Sequence, residues 1–539
     1  MRSLHPTILI GLDGATFTVL DSLVAEGRMP SLKRFMEEGV RAELLSTGHP
    51  LTPPAWTTVM TGMSPGNHGI FDFIWAEERK DNVYFTLNNF RDIQAETIWS
   101  IVSRQGGKVT SLNFPFMSPP PRINGAVVPG LVSWKHLRRN IHPRELYGKL
   151  ASLPGFSPSE VAWDFEREKR ATKTIPEDEY EDWVRFHVRR EGQWFQIFRH
   201  LQSESPSDLA AVLLDGTDKL QHVCWRQLDP DIANESDFDE RVRSLCISFF
   251  QRLDDFIGEV MRVSPDARIF FASDHGFGPT ESVFRVNRWL AEKGYLTWKP
   301  TEHLDEKERE KIDKLMNGHF VHLDWEKTTA YAPSSATNGI HIRVANRPGE
   351  TGVPREKYRS FCDRLIDELL AIRDPIDGKR VVTAVLKREE AFAGSRNGRC
   401  PDLTLTLHDY GFVSTLNQDP VIFRRPNVAG THRPQGIFLA RGPGIAKGVR
   451  LRQQSIVDIA PTLLHSLGLP IPSDFEGAPI EAAFEPTHLR ANPVRSGEPT
   501  RSPETYAAAP GRQRPPRAER DPEDEAVIAD RLRALGYIE

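Results

Sequence analysis

Arg268-Ile-Phe-Phe-Ala-Ser273-Asp274-His275-Gly276 sets the pattern on which the chain is built. A short apolar run ends at a small or acidic residue, and a turn follows. Thr7-Ile-Leu-Ile-Gly-Leu12 ends the same way at Asp13-Gly14, and Leu209-Ala-Ala-Val-Leu-Leu214 at Asp215-Gly216. Leu403-Thr-Leu-Thr-Leu407 and Gly436-Ile-Phe-Leu-Ala440 are shorter versions. Runs that stay apolar suggest strands of a sheet covered on both faces. Helical patterns lie between them, for example at 29–38 and 241–263. The alternation predicts an α/β fold with a mainly parallel central sheet flanked by helices. Ligands bind such sheets at the carboxyl ends of the strands, which is where these acidic residues fall.

The 539 residues would make three to four domains at about 150 residues each, or fewer if the α/β unit is large. Basic residues number 69 and acidic residues 74, for a net charge of -5. That balance argues against a nucleic-acid scaffold, which would carry a basic excess. With 39% hydrophobic residues, 38 glycines and 41 prolines, the chain is globular and rich in turns, not fibrous or wholly disordered. No run approaches the ~20 apolar residues of a membrane span. The apolar run before Asp13 is too short for a signal segment and reads as the first buried strand. Four scattered cysteines (Cys224, Cys246, Cys362 and Cys400) predict neither a disulfide framework nor a Cys-based zinc site. The expected compartment is reducing and cytoplasmic.

Two stretches break the rhythm. Residues 115–206 contain Pro119-Pro120-Pro121 and a charged helical part carrying Trp183, Phe186, Trp194, Phe195 and Phe198. They read as a cap over the site, or equally as amphipathic helices packed on the sheet. Residues 278–352 read as a second cap insertion. The main domain is expected to span 1–484. A Pro/Arg-rich, disordered linker is expected over 485–522. A short C-terminal helix is expected over 523–539, with Ile528, Leu532 and Leu535 at helical spacing.

The chemistry-bearing residues are individually ambiguous. Asp274-His275 offers a carboxylate and an imidazole after a strand, both fit for a metal, but Asp-His-Gly is also an ordinary turn. In Asp215-Gly-Thr-Asp218-Lys-Leu-Gln-His222, a helix would place Asp218 and His222 on one face, as a metal clamp or merely as a capped helix start. Asp13-Gly14 ends the first strand, and His432 stands alone in a loop. The segment Leu51-Thr-Pro-Pro-Ala-Trp-Thr-Thr-Val-Met-Thr-Gly62 offers Thr52, Thr57, Thr58 and Thr61. A threonine beside a metal is a strong nucleophile. A threonine before Pro-Pro also suits a helix start, where an anion is favoured.

Taken together and in order, these residues resemble the alkaline phosphatase superfamily. They are Asp13, the Thr-Pro-Pro segment with Thr61-Gly62, Pro65 and His68-Gly69, then Asp218 with His222, Asp274-His275-Gly276 and His432. The resemblance runs from about residue 7 to 477. It is strongest to the type I phosphodiesterase and nucleotide pyrophosphatase branch. It implies that Thr52 is the nucleophile, where sulfatases carry cysteine. It implies one zinc on Asp218, His222 and His432, and a second on Asp13, Asp274 and His275 with Thr52 bridging to it. In one place the chain departs from that branch. In His68-Gly-Ile-Phe-Asp-Phe73, Phe73 stands where the branch has a phosphate-binding asparagine. Asn82, Asn88, Asn89 and Asn113 are the candidates to replace it.

The expected function is therefore a two-metal phosphohydrolase, a phosphodiesterase acting on a small phosphate ester through Thr52. Two divalent ions are expected, zinc first and manganese or iron next. The alternatives are a phosphomonoesterase or phosphomutase of the same superfamily, or a non-catalytic binding protein of the same fold. The complete set of Thr52 and six ligands argues against the last. A surface factor acting on lipid or glycan phosphates is disfavoured by the lack of a spanning segment.

Overall fold

The computed structural model describes residues 5–79, 82–162, 177–300, 320, 322–347 and 349–501. Its central sheet is built from β1 (Thr7–Leu12), β2 (Val40–Leu45), β3 (Val109–Leu112), β4 (Gly125–Val128), β5 (Leu209–Leu214), β6 (Arg268–Ala272), β7 (Gln435–Arg441), β8 (Val449–Arg450) and β9 (Gln454–Ser455). The strand order is β8-β2-β7-β6-β1-β5-β3-β4, with β9 also paired to β2. β1 pairs in parallel with both β5 and β6, and only β7 runs against its neighbours. The expected mainly parallel sheet is present.

Both faces are covered, which explains the unbroken apolar runs. Successive side chains of a strand point to opposite faces. Ile8, Ile10, Leu12, Val212 and Phe271 enter one core with helices α1 (Phe17–Ala25), α2 (Pro30–Glu37), α5 (Glu177–Glu204), α6 (Gly216–Leu228) and α7 (Asp237–Val263). Leu9, Ala211, Leu213 and Phe270 enter the other, with α3 (Thr52–Thr61), α4 (Ile98–Arg104) and α8 (Ile459–Ser466). Gly11 lets Trp56 of α3 lie flat on β1, because a Cβ there would sit 2.7 Å from the indole.

One open choice about organisation is narrowed and two expectations change. The described part of residues 115–206 fits helices packed on the sheet better than a cap over the site, since β4 extends the main sheet and α5 packs on α7. Trp194 and Phe195 of α5 belong to the main core, and Phe195 stacks on Phe256 at 4.2 Å. The aromatic spacing was that of a core-facing helix. Residues 163–176 of that stretch lie outside the described residues.

The second excursion is longer than 278–352. The strands Gly276–Arg285 and Ile422–Arg433 pair as its stem. Inside it Leu403–Leu407 pairs antiparallel with Gly339–Ile342 and Val382–Lys387. Its Leu-Thr alternation marks a strand with one dry face, not a member of the central sheet. This insert has its own core, which Leu51, Phe73 and Ile74 join from the site.

The chain also stays ordered beyond 484. Ser496–Gly497 pairs with Ile471–Pro472, Thr500 N–H donates to Asp474 at 2.9 Å, and Arg501 N–H donates to Glu96 at 2.9 Å. The rest of the expected linker, 502–522, and the expected helix 523–539 lie outside the described residues.

Candidate active site

β6, β1 and β5 lie side by side, so Asp274, Asp13 and Asp215 emerge together at one sheet edge. α6 starts at once after Asp215 and turns Asp218 and His222 to the same edge. β7 enters the sheet at that edge, and so carries His432 there from the end of the insert's stem. α3 follows β2 and presents Thr52 at its first position. All seven residues read from the sequence meet here.

The loops that hold them are tightly tied. Gly14 takes a φ of +64°, and a Cβ there would meet Phe277 at 2.7 Å. Its N–H donates to Asp274 Oδ1 at 3.0 Å, and its carbonyl accepts from Gln221 of α6 at 2.8 Å. Trp56 Nε1–H donates to Asp13 Oδ2 at 3.3 Å.

Each histidine turns its Nδ1 to a backbone carbonyl. These are Gly430 for His222 at 3.3 Å, Gly276 for His275 at 3.1 Å and Pro50 for His432 at 2.9 Å. A carbonyl only accepts, so Nδ1 carries the proton and the lone pair of the neutral ring sits on Nε2. Those Nε2 atoms face carboxylates. His222 and His432 lie 3.3 and 3.4 Å from Asp218 Oδ1, and His275 lies 3.2 Å from Asp274 Oδ2 and 3.7 Å from Asp13 Oδ1. Asp13 Oδ1, Asp218 Oδ1 and Asp274 Oδ2 are buried and accept no hydrogen bond. Lone pairs thus face lone pairs in a dry setting, an arrangement that a cation resolves.

The acidities agree. Burial pushes Asp13 well above the usual carboxylate range, helped by Asp274 and Asp218, and pushes Asp274 up to about 8. Burial holds His275 well below the ordinary imidazole value and His432 down to about 4. Burial opposes ionisation of Asp218 too, but His222 and Lys219 outweigh it and hold that carboxyl well below its usual range. Alone, most of the cluster sheds charge. Divalent cations would keep the carboxylates ionised and the imidazoles neutral.

The donor atoms form two compact groups, Asp13 with Asp274 and His275, and Asp218 with His275 and His432. His275 stands between the groups. His222 reaches the second through Asp218 and through His432, whose Nε2 is 3.1 Å from its own. Thr52 Oγ1 lies 3.2 Å from His275 Nε2.

The other threonines of α3 are occupied and fully buried. Thr57 donates to the Pro53 carbonyl at 2.7 Å, Thr58 to that of Pro54 at 3.0 Å and Thr61 to that of Thr57 at 2.7 Å. His68 is structural, bracing the start of α3 through Thr58 Oγ1 at 3.1 Å and the Pro54 carbonyl at 3.2 Å.

A profile of one family matches residues 7–435, described as type I phosphodiesterase / nucleotide pyrophosphatase. The chain belongs to that family. Solved structures of similar fold include murine ectonucleotide pyrophosphatase / phosphodiesterase 5, as an inactive threonine-to-alanine variant in complex with AMP. The identity is 15% and the TM-score 0.52, over 89% of this chain and 100% of that one. Phosphonoacetate hydrolase from Sinorhizobium meliloti 1021, in complex with phosphonoformate, is 16% identical with a TM-score of 0.52, over 86% of this chain and 95% of that one. No curated protein matches the chain. As a member of this family, the protein is a phosphoric ester hydrolase with divalent-metal chemistry.

Beside Thr52 lies a small, partly open pocket. Phe73 does line it, so the side chain that departs from the family's pattern faces the site. Of the asparagines, Asn113 lines it as well, whereas Asn88 lines a separate cavity and Asn89 caps the turn Phe90–Asp92. Asn82 begins the hairpin strand Asn82–Leu87.

Reading the sequence missed three nearby groups. Asp215 does more than end a strand, since it takes an ion pair from buried Arg190 of α5 and a 3.3 Å hydrogen bond from Asn113. Lys219 lines the same cavity. Its place between Asp218 and His222 was the only available signal.

Proposed function

We propose that the protein is a two-metal phosphodiesterase or nucleotide pyrophosphatase-type enzyme that cleaves small phosphate esters with Thr52 as nucleophile. One observation carries the reading. The Thr52 hydroxyl, alone among the α3 threonines, lies 3.2 Å from His275 Nε2, which itself faces buried carboxylate oxygens that lack hydrogen bonds. Asp13, Asp274 and His275 would hold one divalent ion, and Asp218, His222 and His432 the other. Three imidazoles and three carboxylates suit zinc, with manganese or iron next. Such ions lower the pKa of a hydroxyl and offset the charge on a phosphoryl group.

The chain's own residues do the rest. The Thr52 hydroxyl gives up its proton to solvent and its oxygen bonds to phosphorus. The bond from phosphorus to the departing alcohol breaks, and that oxygen takes up a proton from water. In a second displacement a water oxygen bonds to phosphorus and loses its proton to solvent, the bond to the Thr52 oxygen breaks, and that oxygen regains a proton. Thr52 sits at the first position of α3, where the helix N-terminus favours the anion. The fold neighbours support the substrate class, one holding AMP in a variant inactivated at a threonine and the other holding phosphonoformate. A phosphomonoesterase of the same layout is the second reading, favoured by Lys219, a cationic residue that lines the same pocket as Thr52.

Elemental analysis of purified full-length protein tests the metal part. We expect about two divalent ions per chain and loss of ester hydrolysis on chelation. Full turnover in excess chelator rejects it.

A further inference from the structure

α6 carries Asp218 and His222, yet no side chain of its own caps its start. Asp215 stands at the N-cap position, where an aspartate commonly accepts from the first turn. Its carboxylate is engaged elsewhere. It takes an ion pair from Arg190 of α5 and a 3.3 Å hydrogen bond from Asn113, which follows β3.

The missing acceptor comes from the next residue of α5. The Gly216 N–H donates to Glu191 Oε1 at 2.5 Å. Arg190 and Glu191 are each only 2% exposed, so little water competes for these contacts. Gly216 is part of the fit. A Cβ there would lie 2.7 Å from Glu191 Oε1 and 2.7 Å from Phe249 of α7. Asp218 is two residues further on, in the first turn, and His222 is one turn beyond it. A first turn whose N–H groups lack acceptors frays. Asp218 Oδ1 would then leave its place 3.3 and 3.4 Å from His222 and His432. Thr217 and Gln221 donate to the carbonyls of Asp13 and Gly14, so α6 as a whole keeps other anchors.

We propose that Glu191, with Arg190 beside it, is a positioning residue that fixes the first turn of α6 so that Asp218 and His222 converge with His432 on one divalent ion. The proposal rests on the metal part of the reading above and deepens it. α5 supplies no ligand and acts through α6. Asp13, Asp274 and His275 stand at the ends of β1 and β6, so the effect should fall on one ion and spare the other.

The test titrates zinc into metal-free full-length protein against a chromophoric chelator, with melting curves alongside. Wild type should take up two ions. Asp218→Asn marks the step that belongs to the Asp218 group. Glu191→Leu should weaken that step by about 10- to 100-fold and leave the other nearly unchanged. In the Asp218→Asn background, the remaining step should not respond to Glu191→Leu. Glu191→Gln should restore the affinity, since it keeps the acceptor. Burial, with Asp215 near, pushes the Glu191 carboxyl up to about 8, so Gln resembles the neutral acid. Equal weakening of both steps, or a lowered melting temperature with both affinities unchanged, would overturn the proposal and leave Glu191 a packing residue. Should Glu191→Leu not fold, Gly216→Ala, which crowds the carboxyl off the helix end, gives the same comparison. If wild type takes up no zinc, the metal reading fails first and takes this proposal with it.

Discussion

Thr52 differs from the other threonines of α3 in where its hydroxyl goes. Thr57, Thr58 and Thr61 bond back to helix carbonyls, while Thr52 faces His275. Thr52→Ala should therefore lose nearly all turnover, about 10³-fold or more, while keeping fold and bound metal. Thr52→Ser should keep part of it, because a primary hydroxyl can attack in the same way. Thr57→Ala removes a buried hydrogen bond and should cost about 1 kcal/mol of stability with little effect on kcat. Parallel kinetics and denaturant melts separate these outcomes. Asp72 gives a second test at this scale. It is buried beside Phe73, its carboxyl accepts from the Phe73 N–H at 2.6 Å, and burial raises it to about 7. A raised folded pKa means that its favourable contribution is complete below the unfolded value near 4 and is lost as pH rises through 7. Asp72→Asn mimics the protonated acid. Its stability relative to wild type should grow by about 1.4 kcal/mol per pH unit between pH 4 and 7, read from urea midpoints. A pH-independent difference would mean that Asp72 stays ionised. Five of the six candidate ligands were legible because they follow a strand or sit at helical spacing from another, whereas His432, alone in its loop, was legible only through the order of the motifs. Lys219 and Arg190 were not, because nothing local in the sequence says which way a lysine beside a ligand turns, or that an arginine of α5 reaches Asp215.

At the scale of elements, α5 shows what aromatic spacing leaves open. Trp183, Trp194 and Phe198 suit a cap over the site and a sheet-packed helix equally, and Trp194 is fully buried against the main sheet and its helices. Trp194→Ala should destabilise the protein by about 3–5 kcal/mol, and the folded fraction should cleave different esters in unchanged proportion. A selective change in ester preference with stability intact would restore the cap reading. The strands β1, β5 and β6 were readable because burial on both faces leaves no polar alternation. Leu403–Leu407 was misread as their kin, although its threonines alternate with leucines that face the insert's core. The Pro-rich composition after 484 also misled. Residues up to 501 are fastened by backbone pairing and by Asp474 and Glu96, contacts made by few residues and invisible to composition.

For the whole molecule, the central claim is that sheet topology gathers Asp13, Asp218, His222, Asp274, His275 and His432 around Thr52 to make a phosphohydrolase. The parallel order of β6, β1 and β5 and the reversed β7 are what bring residues from five distant segments to one edge. Separate variants probe the parts, but the covalent intermediate joins them, since it forms only if the cluster activates that hydroxyl and no other. The decisive measurement is acid quenching of metal-loaded full-length protein during turnover of bis(p-nitrophenyl) phosphate, followed by peptide mapping. The account predicts the retained half of the ester on Thr52, absent after chelation and absent in Thr52→Ala. Turnover without any adduct at Thr52, or an adduct on Thr57 or Thr58, would contradict it.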